Sequence, residues 1–194
     1  MAFLPAALAA AILLAGPALA ARDGPARLCF DAADRAARAR GVPAEALRAL
    51  TLTETGRRRD GRFEPWPWTV NMEGEGRWFD TPAEALAYVE RERARGARSF
   101  DIGCFQVNHL WHGREFDSVA AMFDPQTNAD YAARFLSELY AETGDWTRAA
   151  GLYHSRTPKF RDRYAARFAR ILAARGGMGA APAPTLPAAA EAPA

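Results

Sequence analysis

Apolar positions recur at steps of three and four over most of residues 27–172, the spacing that lines one face of an α-helix. Residues 27–40 form the first such stretch, and Gly41 stops it. Pro43 suits the first turn of a second helix, which Gly56 ends; Leu47, Leu50 and Glu54 fall on its inner stripe. Thr81-Pro82-Ala83-Glu84 spells a capping box with proline at the first helical position, and the charged helix it opens stops at Gly96. A long amphipathic helix runs from Asp124-Pro125 to Thr143, with Tyr131, Phe135, Leu139 and Tyr140 on its inner side. Asp145 caps the next helix. Thr157-Pro158 begins the last one, where Phe160, Tyr164, Phe168 and Ile171 repeat at core spacing.

Residues 57–80 break this pattern. Rings cluster around Pro67, and Gly74 and Gly76 follow, so residues 68–71 and 77–79 are expected to pair as a short hairpin across a glycine-rich turn. Residues 99–108 read as a loop leading into a short irregular segment. The expected fold is mainly α, an α+β domain over residues 25–175 with one small β-hairpin and no internal repeat.

The chain has 194 residues, room for one domain with terminal extras. A formal net charge of +2 supplies no basic field strong enough to hold nucleic acid. Lys159 is the only lysine among the 25 basic residues, which reads as codon bias before function. Residues 1–20 carry no charged side chain and have an apolar core at 6–15; Pro17 breaks it, and Ala18-Leu19-Ala20 fits a signal-peptidase site. The expectation is export with cleavage after Ala20 or Ala21, and the alternative is a membrane anchor, for which the apolar run is short. In an exported chain the two cysteines, Cys29 and Cys104, suggest a disulfide, which could add about 4 kcal/mol; the alternative is two buried thiols. Residues 176–194 are rich in Ala, Pro and Gly and read as a disordered tail.

Glu54 is the residue that asks for a chemical explanation. It lies on an apolar stripe, where a charge is costly, and in the last helical turn, where the helix dipole disfavours a carboxylate. Both effects raise its pKa, and a carboxyl that keeps its proton near neutral pH can protonate a glycosidic oxygen. The plain alternative is a glutamate at a frayed helix end, paired with Arg57 or Arg58.

Three later segments bear on that choice. In chain order the sequence carries Glu54-Thr55, then Gly103-Cys104-Phe105-Gln106-Val107-Asn108, then Asn128-Ala129-Asp130-Tyr131, then Ala150-Gly151-Leu152-Tyr153-His154-Ser155. Over residues 29–172 this resembles the lytic transglycosylases of the lysozyme-like superfamily. Their pattern is a Glu-Ser helix end, a Gly-x-x-Gln segment, an Asn-led helix and an Ala-x-x-Tyr-Asn segment. The first cysteine, Asp101-x-Gly103 and Gln106-x-Asn108 look most like the small specialised members that serve secretion and conjugation machines. Thr55 stands where Ser is usual, and His154-Ser155 replaces Asn-Ala.

The resemblance implies a lysozyme-like fold, a periplasmic setting, peptidoglycan glycan strands as partner, an envelope-spanning machine as a further partner, and no cofactor. Glu54 would protonate the β-1,4 oxygen between N-acetylmuramic acid and N-acetylglucosamine. It would then take the proton of the muramoyl C6 hydroxyl as that oxygen closes a 1,6-anhydro ring. Tyr153 would hydrogen-bond Glu54. Gln106, Asn108 and Phe105 would contact sugar, and Thr55 would contact substrate or the Glu54 loop. A second carboxylate is not required by this scheme, since the substrate's N-acetyl group can stabilise the cation; Asp101 and Glu64 are the nearest candidates, with Glu64 the one singled out as a second acid.

Trp66, Trp68, Trp78 and Phe105 can serve as sugar-stacking faces or as core under the hairpin. Arg57-Arg58-Arg59 can meet peptide-stem carboxylates or form a solvated loop. His109, His112 and His154 match no metal motif, and Gly74-Glu75-Gly76 is not a dinucleotide fingerprint. Competing functions are a hydrolytic muramidase, a non-catalytic peptidoglycan-binding assembly protein, and an enzyme acting on a chitin-type polymer.

Overall fold

The computed structural model describes residues 24–178. The expected signal segment, residues 1–20, and nearly all of the expected tail lie outside the described residues. Among the described residues no helix is long and apolar enough to cross a membrane.

The architecture is mainly helical with some β-structure. Helix α1 spans Pro25–Arg40 and ends at Gly41, whose φ of 66° is the left-handed conformation that glycine adopts without a Cβ penalty. Helix α2 spans Ala44–Thr55. Helix α3, Pro82–Ala94, opens with both reciprocal bonds of the expected capping box. Two short helices, α4 (His109–His112) and α5 (Val119–Met122), precede α6 (Pro125–Thr143), α7 (Trp146–His154) and α8 (Pro158–Ala174). Asp124 and Asp145 cap α6 and α7 through side-chain bonds to Thr127 N and Arg148 N.

The alanine content has a packing role. α1 lies on α6, and Ala32, Ala33 and Ala36 on one side and Ala129, Ala132 and Ala133 on the other are fully buried. Small side chains let the two backbones approach closely, and larger residues there would overpack. α2 packs against α1 and α8. It ends at Gly56, where a Cβ would stand 2.2 Å from the Leu52 carbonyl oxygen and 2.4 Å from the Phe63 ring. Only glycine fits that turn.

The β-structure is richer than the sequence pattern announced. The expected hairpin exists as β3 (Thr69–Met72) and β4 (Glu75–Trp78), with Thr69 opposite Trp78. The stretch read as a solvated loop is instead a second hairpin, β1 (Arg57–Arg59) with β2 (Arg62–Glu64). Its turn is Asp60-Gly61, with φ of 50° and 77°, the backbone that Asp-Gly favours in tight hairpins. That dipeptide was the overlooked signal; charged residues on both faces hid the strands. Residues 99–108, expected to be irregular, supply β5 (Phe100–Ile102) and β6 (Val107–Asn108), giving a four-stranded antiparallel sheet ordered β4-β3-β5-β6.

Two details of the expected core change. Phe160 is exposed, while Tyr164, Phe168 and Leu172 carry the inner face of α8. On α6 the fully buried positions include Asn128, Ala129 and Leu136, and Tyr131, Phe135 and Tyr140 are only partly buried. Cys29 and Cys104 form a disulfide that ties α1 to the segment between β5 and β6.

Candidate active site

The last turn of α2 is built from threonines that turn their hydroxyls back on the chain. Thr53 donates to the Ala49 carbonyl at 2.7 Å and Thr55 to the Thr51 carbonyl at 3.0 Å, so both side chains are buried without an orphaned polar group. The Thr55 hydroxyl also accepts from the Trp66 backbone N–H at 3.1 Å. Thr55 therefore fixes the chain beside Glu54 and does not face the cleft. Thr51 donates to the Cys104 carbonyl at 2.8 Å, which binds α2 to the segment between β5 and β6.

That segment is clasped from several sides. Gly103 has a φ of 84°, and a Cβ there would stand 2.9 Å from the Asn128 amide, so glycine is required both by conformation and by space. Asn128 is fully buried: its Oδ1 accepts from Phe105 N at 2.9 Å, and its Nδ2 donates to the carbonyls of Ile102 at 3.1 Å and Met122 at 3.0 Å. Replacing Asn128 by alanine leaves these backbone groups without partners. The expected cost is about 3 kcal/mol, read as a lower urea midpoint at unchanged slope. A loss under about 1 kcal/mol would mean that water or a local shift replaces the amide.

Clasped in this way, Gln106 takes the left-handed conformation, φ 46°, which is uncommon for a side-chain-bearing residue and costs of order 1–3 kcal/mol. Its Nε2 donates to the Thr69 and Gly103 carbonyls, both at 3.0 Å, and its side chain lines a cleft of 460 Å³. Asn108 lines the cleft as well; its Oδ1 caps α4 through Trp111 N at 3.3 Å, and its Nδ2 donates to Asp101. Phe105, expected to contact sugar, is fully buried in the core and contributes only through its backbone.

Glu54 reaches the floor of the same cleft. Its Oε1 accepts a hydrogen bond from the Tyr164 hydroxyl at 2.5 Å. Burial pushes its carboxyl up to about 8, and the nearby Asp101 carboxylate adds to the rise; the Tyr164 bond and the Arg167 charge oppose it. The carboxyl is thus protonated near neutral pH and close to the pH at which it can exchange its proton. Among the described residues no arginine forms an ion pair with it, so the frayed-end alternative with Arg57 or Arg58 is not what the chain adopts.

The partner of Glu54 was expected to be Tyr153, and it is Tyr164. Tyr153 lines the cleft, but its hydroxyl donates to the Phe105 carbonyl at 2.9 Å and braces the Gln106 segment instead. The signal for Tyr164 was its place on the inner stripe of α8, where a phenol needs an acceptor. His154 stacks on Tyr164 with ring centroids 4.6 Å apart, so the Tyr-His-Ser segment bears on the residue that holds Glu54. Exchange of Tyr164 for phenylalanine removes a bond that favours the carboxylate form. The Glu54 pKa should therefore rise further, shifting the basic limb of any pH–rate profile to higher pH, with a rate loss of roughly tenfold or more. An unshifted limb would show that the bond does not bear on Glu54.

The aromatic candidates divide. Trp66 is buried, its indole donating to the Phe79 carbonyl at 2.6 Å, and Trp68 packs edge-on against it. Trp78 lines the cleft and is 42% exposed. Trp111, which the sequence reading missed, also lines the cleft and is 71% exposed, the largest apolar surface there. Its signal was a tryptophan just after the Gln106-Val107-Asn108 segment. Arg57 lies over the rings of Trp66 at 4.9 Å and Trp78 at 5.8 Å. Glu64 pairs with Arg62 at 3.1 Å and does not line the cleft, whereas Asp101, the other acid candidate, does. Burial lowers the pKa of His112 and His154, leaving both rings neutral near pH 7. Among the described residues no group of His, Cys, Asp or Glu is gathered as a metal site. In comparisons with known proteins, the chain matches no family model, no curated protein and no solved structure.

Proposed function

We propose that the protein is a lytic transglycosylase that cleaves the glycan strands of peptidoglycan in the periplasm, with Glu54 as acid and then base. The observation that carries the reading is Glu54 itself: a carboxyl held by Tyr164 on the floor of an open cleft and protonated up to about pH 8. Exposed Trp78 and Trp111 on the cleft suit the apolar faces of sugar rings. The Gln106 amide, fixed through its nitrogen, has its oxygen to offer a sugar hydroxyl or acetamido N–H. In the proposed reaction Glu54 gives its proton to the bridging oxygen, and the anomeric carbon–oxygen bond breaks with its electron pair on that oxygen. The muramoyl C6 hydroxyl then closes on the anomeric carbon and returns its proton to Glu54. An association with a secretion or conjugation machine belongs to the same resemblance-based reading.

The test is digestion of purified sacculi by the mature protein and by its Glu54→Gln variant, with products identified by mass. Anhydro-muropeptides from the wild type alone are the expected result. Hydrated reducing ends would make the protein a muramidase acting through the same residue. Sacculus binding with no products from either protein would overturn the enzyme reading and leave a binding or assembly role.

A further inference from the structure

One wall of the cleft is an aromatic cluster drawn from α4 and α6. His112 stands at its centre, with the Tyr131 ring 5.3 Å away and the Phe135 ring 5.1 Å away. Tyr131 is itself held in place. Its ring packs on Phe116 at 5.2 Å, and the Arg134 guanidinium lies over it at 4.9 Å. Arg134 in turn bonds Glu115 at 2.8 Å and Glu138 at 3.0 Å. The Tyr131 hydroxyl so placed meets His112 Nδ1 at 2.6 Å.

The chemistry of the two groups sets the direction of that bond. A phenol is a stronger acid than a neutral imidazole, and an imidazole nitrogen is a stronger acceptor than a phenol oxygen, so Tyr131 donates and Nδ1 accepts. Burial pushes the Tyr131 hydroxyl up to about 12, so it keeps the proton it donates. Burial also lowers the pKa of His112, helped by Arg134 and opposed by Glu115 and Asp101, and the ring is neutral near pH 7. With Nδ1 accepting, the single ring proton sits on Nε2. Nε2 makes no hydrogen bond among the described residues. Their one buried side-chain polar atom without a partner is Asn71 Oδ1, so Nε2 is open to solvent, on a residue that lines the cleft. Other donors in the cleft are already engaged. Gln106 bonds two carbonyls through its amide nitrogen, Asn71 and Asn108 each bond Asp101 through theirs, and the Tyr153 hydroxyl bonds the Phe105 carbonyl. A ligand rich in oxygen acceptors therefore meets a donor of fixed direction at His112.

We infer that His112 is a substrate-binding residue whose Nε2–H donates to a carbonyl or carboxylate oxygen on a side arm of the glycan, with Tyr131 as the positioning residue that fixes its tautomer. The inference rests on the glycan-cleaving reading above and names a contact in the same cleft. Two side arms of a peptidoglycan strand carry such an oxygen, the acetamido group and the lactyl group. Each also bears a methyl, and Phe135 offers the cleft an apolar face beside His112. The role is one of binding: His112 gives up no proton and forms no covalent bond.

The first test needs no substrate. Nitrogen–proton NMR correlations of the wild-type histidine rings near pH 7 should show Nε2 protonated and Nδ1 bare in the ring whose signals are missing from His112→Gln. A proton on Nδ1 of that ring would overturn the inference. The second test is binding, measured in the Glu54→Gln background so that no strand is cut. The probes are an N-acetylglucosamine tetramer, which lacks the lactyl arm, and soluble muramoyl-containing strands. His112→Phe keeps a ring and loses the donor, so its Kd should rise about tenfold. His112→Gln puts an amide N–H near the position of Nε2 and should stay within about threefold of its parent, whereas the shorter His112→Asn reaches only to Nδ1 and should fail as the phenylalanine does. Ring packing as the sole role of His112 predicts the reverse order. Normal binding by His112→Phe therefore overturns the inference, as does equal loss in the glutamine and phenylalanine variants. Loss on both probes supports it with the acetamido oxygen as acceptor, and loss on muramoyl strands alone supports it with the lactyl oxygen. Release of anhydro-muropeptides by the wild type keeps the proposed function standing whichever way His112 behaves. No glycan binding and no products would overturn both.

Discussion

Glu54→Gln is expected to lower turnover about 10³-fold and, at pH 8, to raise the stability of the fold. The two effects have one cause. In the unfolded chain the carboxyl titrates near 4.5, and in the folded protein burial raises it to about 8. Between these values the folded state holds a proton that the unfolded state has released, so stability falls as pH rises through this window and levels off above it. Full expression of the shift corresponds to a few kcal/mol. Glutamine keeps the acceptor that Tyr164 needs and never ionises, so the variant should lack this slope. Its melting temperature should match the wild type near pH 4 and exceed it at pH 8. Parallel curves for the two proteins from pH 4 to pH 8 would show that Glu54 is not the buried acid described here, whatever the loss of activity. Such a residue is kept at a cost to the fold, which is what the proposed role of proton donor requires.

Replacing Cys29 and Cys104 together by alanine is the second large effect, and it falls on stability. The disulfide spans 75 residues of sequence and joins α1 to the segment that carries Gln106. A closed loop of this length restricts the unfolded chain by about 4 kcal/mol, which corresponds to a melting temperature lower by roughly 8–16 °C. The same segment is also held by Thr51, Asn128 and Tyr153, so the native arrangement should survive at low temperature. Activity at 20 °C should therefore fall far less than stability. A melting temperature within about 2 °C of the wild type would mean that the unfolded chain is already restrained there. A cold protein with intact stability but lost activity would place the disulfide in the geometry of the site itself.

The helices were legible in the sequence because their signals are local. The step of three and four along residues 27–40, 43–55 and 124–143, the capping box at Thr81 and Glu84, and the stops at Gly41 and Gly144 each act within a few residues of the backbone they shape. The β3–β4 hairpin was legible for the same reason. So was Glu54, since a carboxylate on an apolar stripe is an anomaly that one helix displays by itself. The weakest readings were those where the deciding partner is far along the chain. β5 and β6 are too short to show alternation, and they exist because β3 offers them a paired edge. Phe105 looks in sequence like an aromatic beside a binding glutamine, and only the packing of the helices around it makes it core.

The site itself was decided by tertiary structure. Tyr164 lies 110 residues from Glu54, and nothing in the spacing of either helix states that they meet. Tyr153, one helix earlier, has the same chemistry and was the natural choice; the packing of α7 gives its hydroxyl to the Phe105 carbonyl instead. Asn71, Asp101 and Asn108 stand side by side on β3, β5 and β6 because of strand register, which is fixed by which face of each strand is buried. Sequence alone determined which residue types were available and which helices would carry them, because propensity, capping and amphipathic period are properties of neighbouring residues. The protonation of Glu54, its partner and the carboxylate that shares its cleft were determined only when the chain closed, because desolvation and charge depend on what surrounds a group in space.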